Sequence, residues 1–246
     1  MSKQIDFNLE THIQELSDLY QDQDFLTTVA PYFKYNKTKY ALFLTAINYY
    51  KPHQLYHNFN HAVNVVKAVI TIYNMKKSII STDVLIASIW HDAIYVPGSD
   101  FSEQLSSDAY VHETLKLMKL IMGNEELTLV DANTSSTKMI VYLIKNTTIK
   151  QHLKERERYG HDELNILLDA DLSSLAIDDY NWFTYNQSFI VKEQIGKGIP
   201  TDEDFAKCKN FLGLFIEKEN IYRTSEGYAL WETKARNNIE KYINGV

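Results

Sequence analysis

The chain has 246 residues, a formal net charge of −7 and ordinary proportions of hydrophobic (45%) and charged (23%) residues; these fit one globular domain with a sizeable core and argue against bulk nucleic acid as a partner. Only 8 glycines and 4 prolines leave little material for the turns of a strand-rich fold, so an all-α helical bundle is expected. The single cysteine, Cys208, excludes an intrachain disulfide, no apolar run approaches the roughly 20 residues that span a bilayer, and the polar start "MSKQIDFNLE" has no signal-peptide core, which predicts a cytoplasmic chain without a membrane partner.

Hydrophobic periodicity predicts helices near residues 8–20, 24–50 with a break at Pro31, 59–76, 82–95, 102–122, 135–153, 162–176, 178–193, 203–221 and 226–243. Pro52, Pro97-Gly98, Gly123-Asn124, Gly160, Gly196 with Gly198 and Pro200, and Gly245 supply the stops. No repeat or linker divides the chain, so a single domain over 1–246 is expected, its core motifs at 56–176 and its C-terminal helices, 178–243, closing one side as scaffold. Tyr35, Tyr40, Tyr49 and Tyr50, at near-helical spacing, read as packing residues.

Polar residues interrupt the apolar stripes at four places. In "YHNFNHAVNVV", Asn58 or Asn60 can cap a helix on which His61, Val65, Val69 and Ile72 share a face, with His57 one turn earlier. Alone, such a pair reads more readily as hydrogen-bonded core histidines than as ligands. In "VLIASIWHDAIYV", His91-Asp92 interrupts a segment apolar on almost every face, and a carboxylate there must be neutralised. A salt bridge would do so, but no lysine or arginine lies within a turn; a divalent cation held by imidazole and carboxylate is the other answer. In "LLDADLSSLA", Asp171 shares a stripe with Leu164, Leu168 and Leu175, whereas Asp169 lies on another face with Asn165 and Ser173 and reads as a surface or supporting group. In "IKNTTIKQHL", Ile144, Thr148 and His152 share a stripe, and His152 could bind a substrate phosphate, hold a metal-bound water, or be a core histidine. His61, His91, Asp92 and Asp171 together make a metal-ligand set on three helices.

The order His…His-Asp…Asp on successive helices resembles the HD-domain superfamily of metal-dependent phosphohydrolases. The blocks "YYKPHQLYHNFNHAVNVV", "HDAIYVPGSDFSEQLSS", "NTTIKQH", "DADLSSLA", "IYRT" and "ARNNIEKYI" resemble, in order, those of the predicted metal-dependent HD-superfamily phosphohydrolases of bacteria and fungi, over roughly residues 45–243. A second His-Asp pair, His161-Asp162, follows Gly160 and the charged run "KERER", and Asp162 reads as a helix N-cap. Tyr56, His57, Asn58, His61 and Ala62, with Ala170 through Ser173, are also similar to the "YHNxxHA" and "ADLS" motifs of cyclic-nucleotide phosphodiesterases. Several features depart from these patterns: Gln54 and Leu55 stand where basic residues often precede the YHN motif, and no purine-reading glutamine is placed. Phe101-Ser102-Glu103, after Asp100, stands where an acidic-Asn-Glu triplet is expected, and Tyr95 stands near where the phosphodiesterases carry a further histidine.

The resemblance implies a metal-dependent hydrolase of phosphoesters, with one or two divalent cations (Mn, Mg, Co, Fe or Zn) held by His61, His91, Asp92 and Asp171, and Asp92 as the bridge if two bind. It implies His57 as general acid and Glu103 as the residue that orients water, with a small phosphorylated substrate, a nucleotide foremost. Tyr56 and Tyr95 would line the pocket, and Thr148 and His152 would hold phosphate oxygens. Lys192 and Arg236 are candidate phosphate partners, although solvated surface cations are the commoner reading. An HD-fold di-iron oxygenase that recruits His57 and His152, and a nucleotide-binding module with a degenerate site, are the alternatives.

Overall fold

The computed structural model describes residues 7–99, 101–154, 161–196 and 198–245; Asp100, Gly160 and most of the run "KERER" lie outside them. Thirteen α-helices and no strand occur among the described residues, the all-α fold that the composition predicts. No helix among them is long and apolar enough to cross a membrane. The helices are α1 (Leu9–Ser17), α2 (Gln23–Val29), α3 (Lys37–Thr45), α4 (Phe59–Lys76), α5 (Thr82–Trp90), α6 (Ser102–Met122), α7 (Leu129–Ala132), α8 (Ser135–Lys145), α9 (Ile149–Leu153), α10 (Asp162–Asp171), α11 (Tyr180–Ile195), α12 (Asp202–Ile216) and α13 (Ser225–Asn244). Short 3-10 turns follow α2, α3 and α10.

Two hydrophobic clusters form the core. The larger gathers α1 to α6, α8 and α10, with Phe43, Val69, Ile86, Trp90, Ile144 and Leu167 among its buried side chains. The smaller joins α11 to α13 around Phe183, Leu212, Phe215 and Ile239, and Trp231 packs against both. Seven consecutive residues of α5, Val84 to Trp90, are buried. This explains why its sequence is apolar on every face.

Several boundaries differ from the periodicity. The helix expected over 82–95 ends at Trp90, because the backbone beyond it finds side-chain partners instead. Ser106 Oγ bonds the Ile94 N–H at 3.0 Å and Ser102 Oγ bonds the Val96 N–H at 3.0 Å. The helix expected over 135–153 is two, broken where Thr148 accepts from Gln151 N (3.2 Å) and starts α9. Short α7, started by a Thr128–Asp131 capping box, has no counterpart in the sequence reading. Asp162 is the first residue of α10 rather than its cap, and it pairs with Lys76 at 2.7 Å. Tyr40, Tyr49 and Tyr50 pack on Phe33, Trp90 and Phe59 as expected; Tyr35 does not, being 92% exposed.

Asp169 is a supporting group and not a surface one, for it is fully buried. Its carboxylate accepts from Arg223 N, Thr224 N and Thr224 Oγ1, each at 2.7 Å, tying α10 to the residues that begin α13. Burial pushes its pKa up to about 6, against the pull of those donors. Gly227 leaves room for the latch: a Cβ there would lie 2.5 Å from Asp169 Oδ2. Gly227→Ala should therefore destabilise by about 1–3 kcal/mol. Gly213→Ala on α12, where a Cβ meets nothing within 4 Å, should stabilise by up to about 1 kcal/mol through helix propensity. Thermal unfolding of the two variants should shift in opposite directions.

Candidate metal centre

Each helix that contributes to the centre delivers its side chain at or near an end. Asn58 caps α4 by accepting from His61 N at 3.2 Å, which sets His61 in the first turn facing the core. Trp90 anchors the end of α5 by donating its Nε1–H to the Leu42 carbonyl at 2.9 Å. His91 and Asp92 follow immediately, and Asp171 is the last residue of α10. Ligand atoms of His61, His91, Asp92 and Asp171 all lie within 4.8 Å of one another. Metal–ligand bonds of about 2.0–2.2 Å put opposite ligand atoms roughly 4 Å apart, so this group can converge on one cation.

The donor chemistry fits such an ion. His91 Nδ1 is 2.9 Å from the Ser88 carbonyl, which can only accept, so the proton lies on Nδ1 and the Nε2 lone pair points inward. That Nε2 is buried and has no hydrogen-bond partner, although it stands 3.1 Å from Asp92 Oδ2 and 3.4 Å from Asp171 Oδ1. The distances meet an ion-pair criterion while the directions satisfy no hydrogen bond, the arrangement expected of side chains that point at a common third atom. His61 Nε2, by contrast, is hydrogen-bonded to Asp171 Oδ1 at 3.0 Å, a contact that a bound cation would replace, and lies 3.6 Å from Asp92 Oδ2. Among the described residues no lysine or arginine pairs with either carboxylate, so imidazoles and a cation are what can balance them.

Electrostatics follow from this crowding. Burial alone would raise the Asp92 and Asp171 carboxyls, but the charge of His91 holds both below the ordinary range. Burial likewise would lower the His91 imidazole, and Asp92 and Asp171 overcome it and raise its pKa well above the usual value. A proton on His91 and a metal ion are alternative answers to the same two negative charges.

His57 stands beside this group, its ring centroid 6.0 Å from that of His61. Its Nδ1 is 2.6 Å from Glu193 Oε2, and Glu193 Oε1 also accepts from Tyr56 N at 2.8 Å. Burial works to lower the His57 pKa, but the bond to Glu193, reinforced by Asp92 and Asp171, raises it. Tyr95 stacks on the imidazole at 3.8 Å and 15°, and the Tyr56 ring lies 4.8 Å from His61 while its hydroxyl meets Ser174 Oγ at 2.6 Å. Half-buried Glu103, in the first turn of α6, has its carboxyl pushed up by burial and then by Asp92.

Other expected phosphate contacts stand elsewhere. Thr148 spends its hydroxyl on capping α9. His152 directs Nε2 at Asp171 Oδ2, 2.8 Å away, so that nitrogen serves a proposed ligand instead of a phosphate. Arg236 pairs with Glu232 at 2.6 Å and donates to the carbonyls of Ile216, Lys218 and Glu219 at the end of α12; it ties α13 to α12, with four of its five N–H donors so engaged. Lys192 is exposed, whereas its neighbour Glu193 is buried. The sequence reading missed Glu193, which is about 200° around α11 from Val191 and so off the Phe183–Gln187–Val191 stripe. No protein-family model matches the chain, and no curated protein matches it.

Because a metal ion must displace the proton that Asp92 and Asp171 favour on His91, binding of Mn²⁺ should tighten as pH rises through the His91 titration and should release protons. Calorimetry in buffers of different ionisation enthalpy measures both quantities; an affinity independent of pH would contradict the assignment.

Proposed function

We propose that the protein is a metal-dependent phosphohydrolase that cleaves a phosphoester of a nucleotide or related small molecule. The observation that carries this reading is the convergence of His61, His91, Asp92 and Asp171, with His91 Nε2 buried and unpaired, next to a histidine whose Nδ1 is held by a carboxylate. The HD-type order of the motifs supports it, and the resemblance is the source of the nucleotide. A bound divalent cation would supply Lewis-acid activation of the phosphoryl group and of water.

The chain's own groups account for the protons. Water oxygen forms the new bond to phosphorus as the ester P–O bond breaks, and the half-buried Glu103 carboxylate takes the water proton. His57 donates its Nε2 proton to the departing oxygen, while Glu193 holds the Nδ1–H and keeps the imidazolium populated. The Tyr95 and Tyr56 rings flank this proton donor. Glu193 remains its partner when a cation cancels the field of Asp92 and Asp171.

A panel of phosphomonoesters, nucleotides and cyclic nucleotides with Mn²⁺, Mg²⁺, Co²⁺ or Fe²⁺ tests the reading. Asp92→Ala should lose metal and activity together, and normal turnover in that variant would sink the assignment. His57→Ala should keep its metal and lose roughly 10²–10⁴-fold in kcat, the usual scale of acid assistance. Stoichiometric iron with oxygen consumption and no phosphate release would instead favour an oxygenase.

The active form has His57 protonated, so activity is present below its raised pKa and is lost as pH rises through it. Glu193→Gln removes the negative charge that holds the His57 proton, and the alkaline limb of the pH–rate profile should move to lower pH with metal content unchanged. A limb that stays in place would show that Glu193 does not hold the proton.

A further inference from the structure

We propose that His152 is a positioning residue of the metal centre, fixing the Asp171 carboxylate so that Oδ1 alone faces the cation, and that the segment from Lys218 to Thr224 exists to hold His152 there. The inference rests on the reading of the centre as a metal site. A carboxylate oxygen accepts, so in the 2.8 Å contact the His152 Nε2–H donates to Asp171 Oδ2. Oδ1 is left to the group that includes His61 and His91. A terminal carboxylate torsion is otherwise broad and roughly two-fold, so this bond selects one setting.

The other ring nitrogen shows that the ring is held by more than its own preferences. His152 Nδ1 is buried with no hydrogen-bond partner, an arrangement that costs free energy and persists only where surrounding contacts determine the ring's place. Those contacts are identifiable. Helix α9 has five residues, too few to be stable alone, and its carbonyls are gripped by two buried cations. Lys218 Nζ donates to the His152 carbonyl at 2.8 Å, and Arg223 Nη2 donates to Lys154 O at 2.8 Å and to Gln151 O.

Arg223 and Thr224 are in turn fastened through their backbone N–H groups to Asp169. Asp169 and Asp171, two residues apart and about 200° around α10, therefore do linked work. One holds the segment that grips α9; the other receives the histidine that α9 presents.

Binding of Mn²⁺ to the metal-free full-length chain, followed by calorimetry, tests this. Outer hydrogen-bond partners of metal ligands typically carry about 10–100-fold in affinity, and His152→Ala should lose that much. His152→Gln, whose side-chain amide can still donate to Asp171, should recover most of it, which repair of packing alone would not require. In parallel, ¹⁵N-histidine-labelled wild type loaded with ¹¹³Cd²⁺ should show cadmium coupling to His61 and His91 and none to His152, a readout that stands even where the alanine variant does not fold. Wild type that binds no Mn²⁺ would remove the metal reading and this inference with it. Wild type that binds, with His152→Ala equally tight or with cadmium coupled to His152, would overturn the positioning role alone.

Discussion

Two carboxylates in a space that water scarcely reaches, Asp92 and Asp171, set the terms for the surrounding structure. Ionised groups out of water cost several kcal/mol each unless something answers their charge, and among the described residues neither carboxylate pairs with a lysine or arginine. Histidines answer instead: His61 and His91 stand between the two carboxylates, and His152 takes the far oxygen of Asp171. Imidazoles can be neutral, and a neutral imidazole with its second nitrogen anchored, as His91 is on Ser88, leaves two negative charges and a set of lone pairs. Such a set could hold a metal ion.

The fold meets this constraint by ending helices at one place. Inside a helix, the peptide groups around His91-Asp92 would bond along the chain. α5 instead ends at Trp90 in a turn where the Ala93 N–H donates to the Trp90 carbonyl at 3.1 Å, and the serines of α6 take up the N–H groups of Ile94 and Val96. The C-terminal helices prove to be more than scaffold. α11 brings the carboxylate that holds His57, and the chain between α12 and α13 brings Lys218 and Arg223 to the short helix that carries His152. The site therefore draws on both hydrophobic clusters.

Helical periodicity made the long elements readable, since α4, α6 and α13 bury stripes whose spacing is visible in the residues themselves. The same logic found His61, His91, Asp92 and Asp171, because each is a polar group where an apolar one is expected. It failed where side chains overrule the backbone pattern. The serines that stop α5 come from the next helix and the Asp169 latch joins residues more than 50 apart in the chain, whereas Thr148 splits the 135–153 segment by a local cap on Gln151 that apolar spacing does not register. Glu193 was missed for a related reason: a second buried face on α11 exists only because that helix covers the centre, and no periodicity in its own residues announces it. His152 came to the site although the continuous helix used to place it is broken.

The most direct measurement of the central claim is a crystal structure of the protein grown with Mn²⁺, with diffraction recorded at a wavelength where manganese scatters anomalously. The account predicts an anomalous peak within bonding distance of His61 Nε2, His91 Nε2, an Asp92 oxygen and Asp171 Oδ1, with His152 still on Asp171 Oδ2. An empty centre at saturating Mn²⁺, with His91 hydrogen-bonded to both carboxylates, would contradict it.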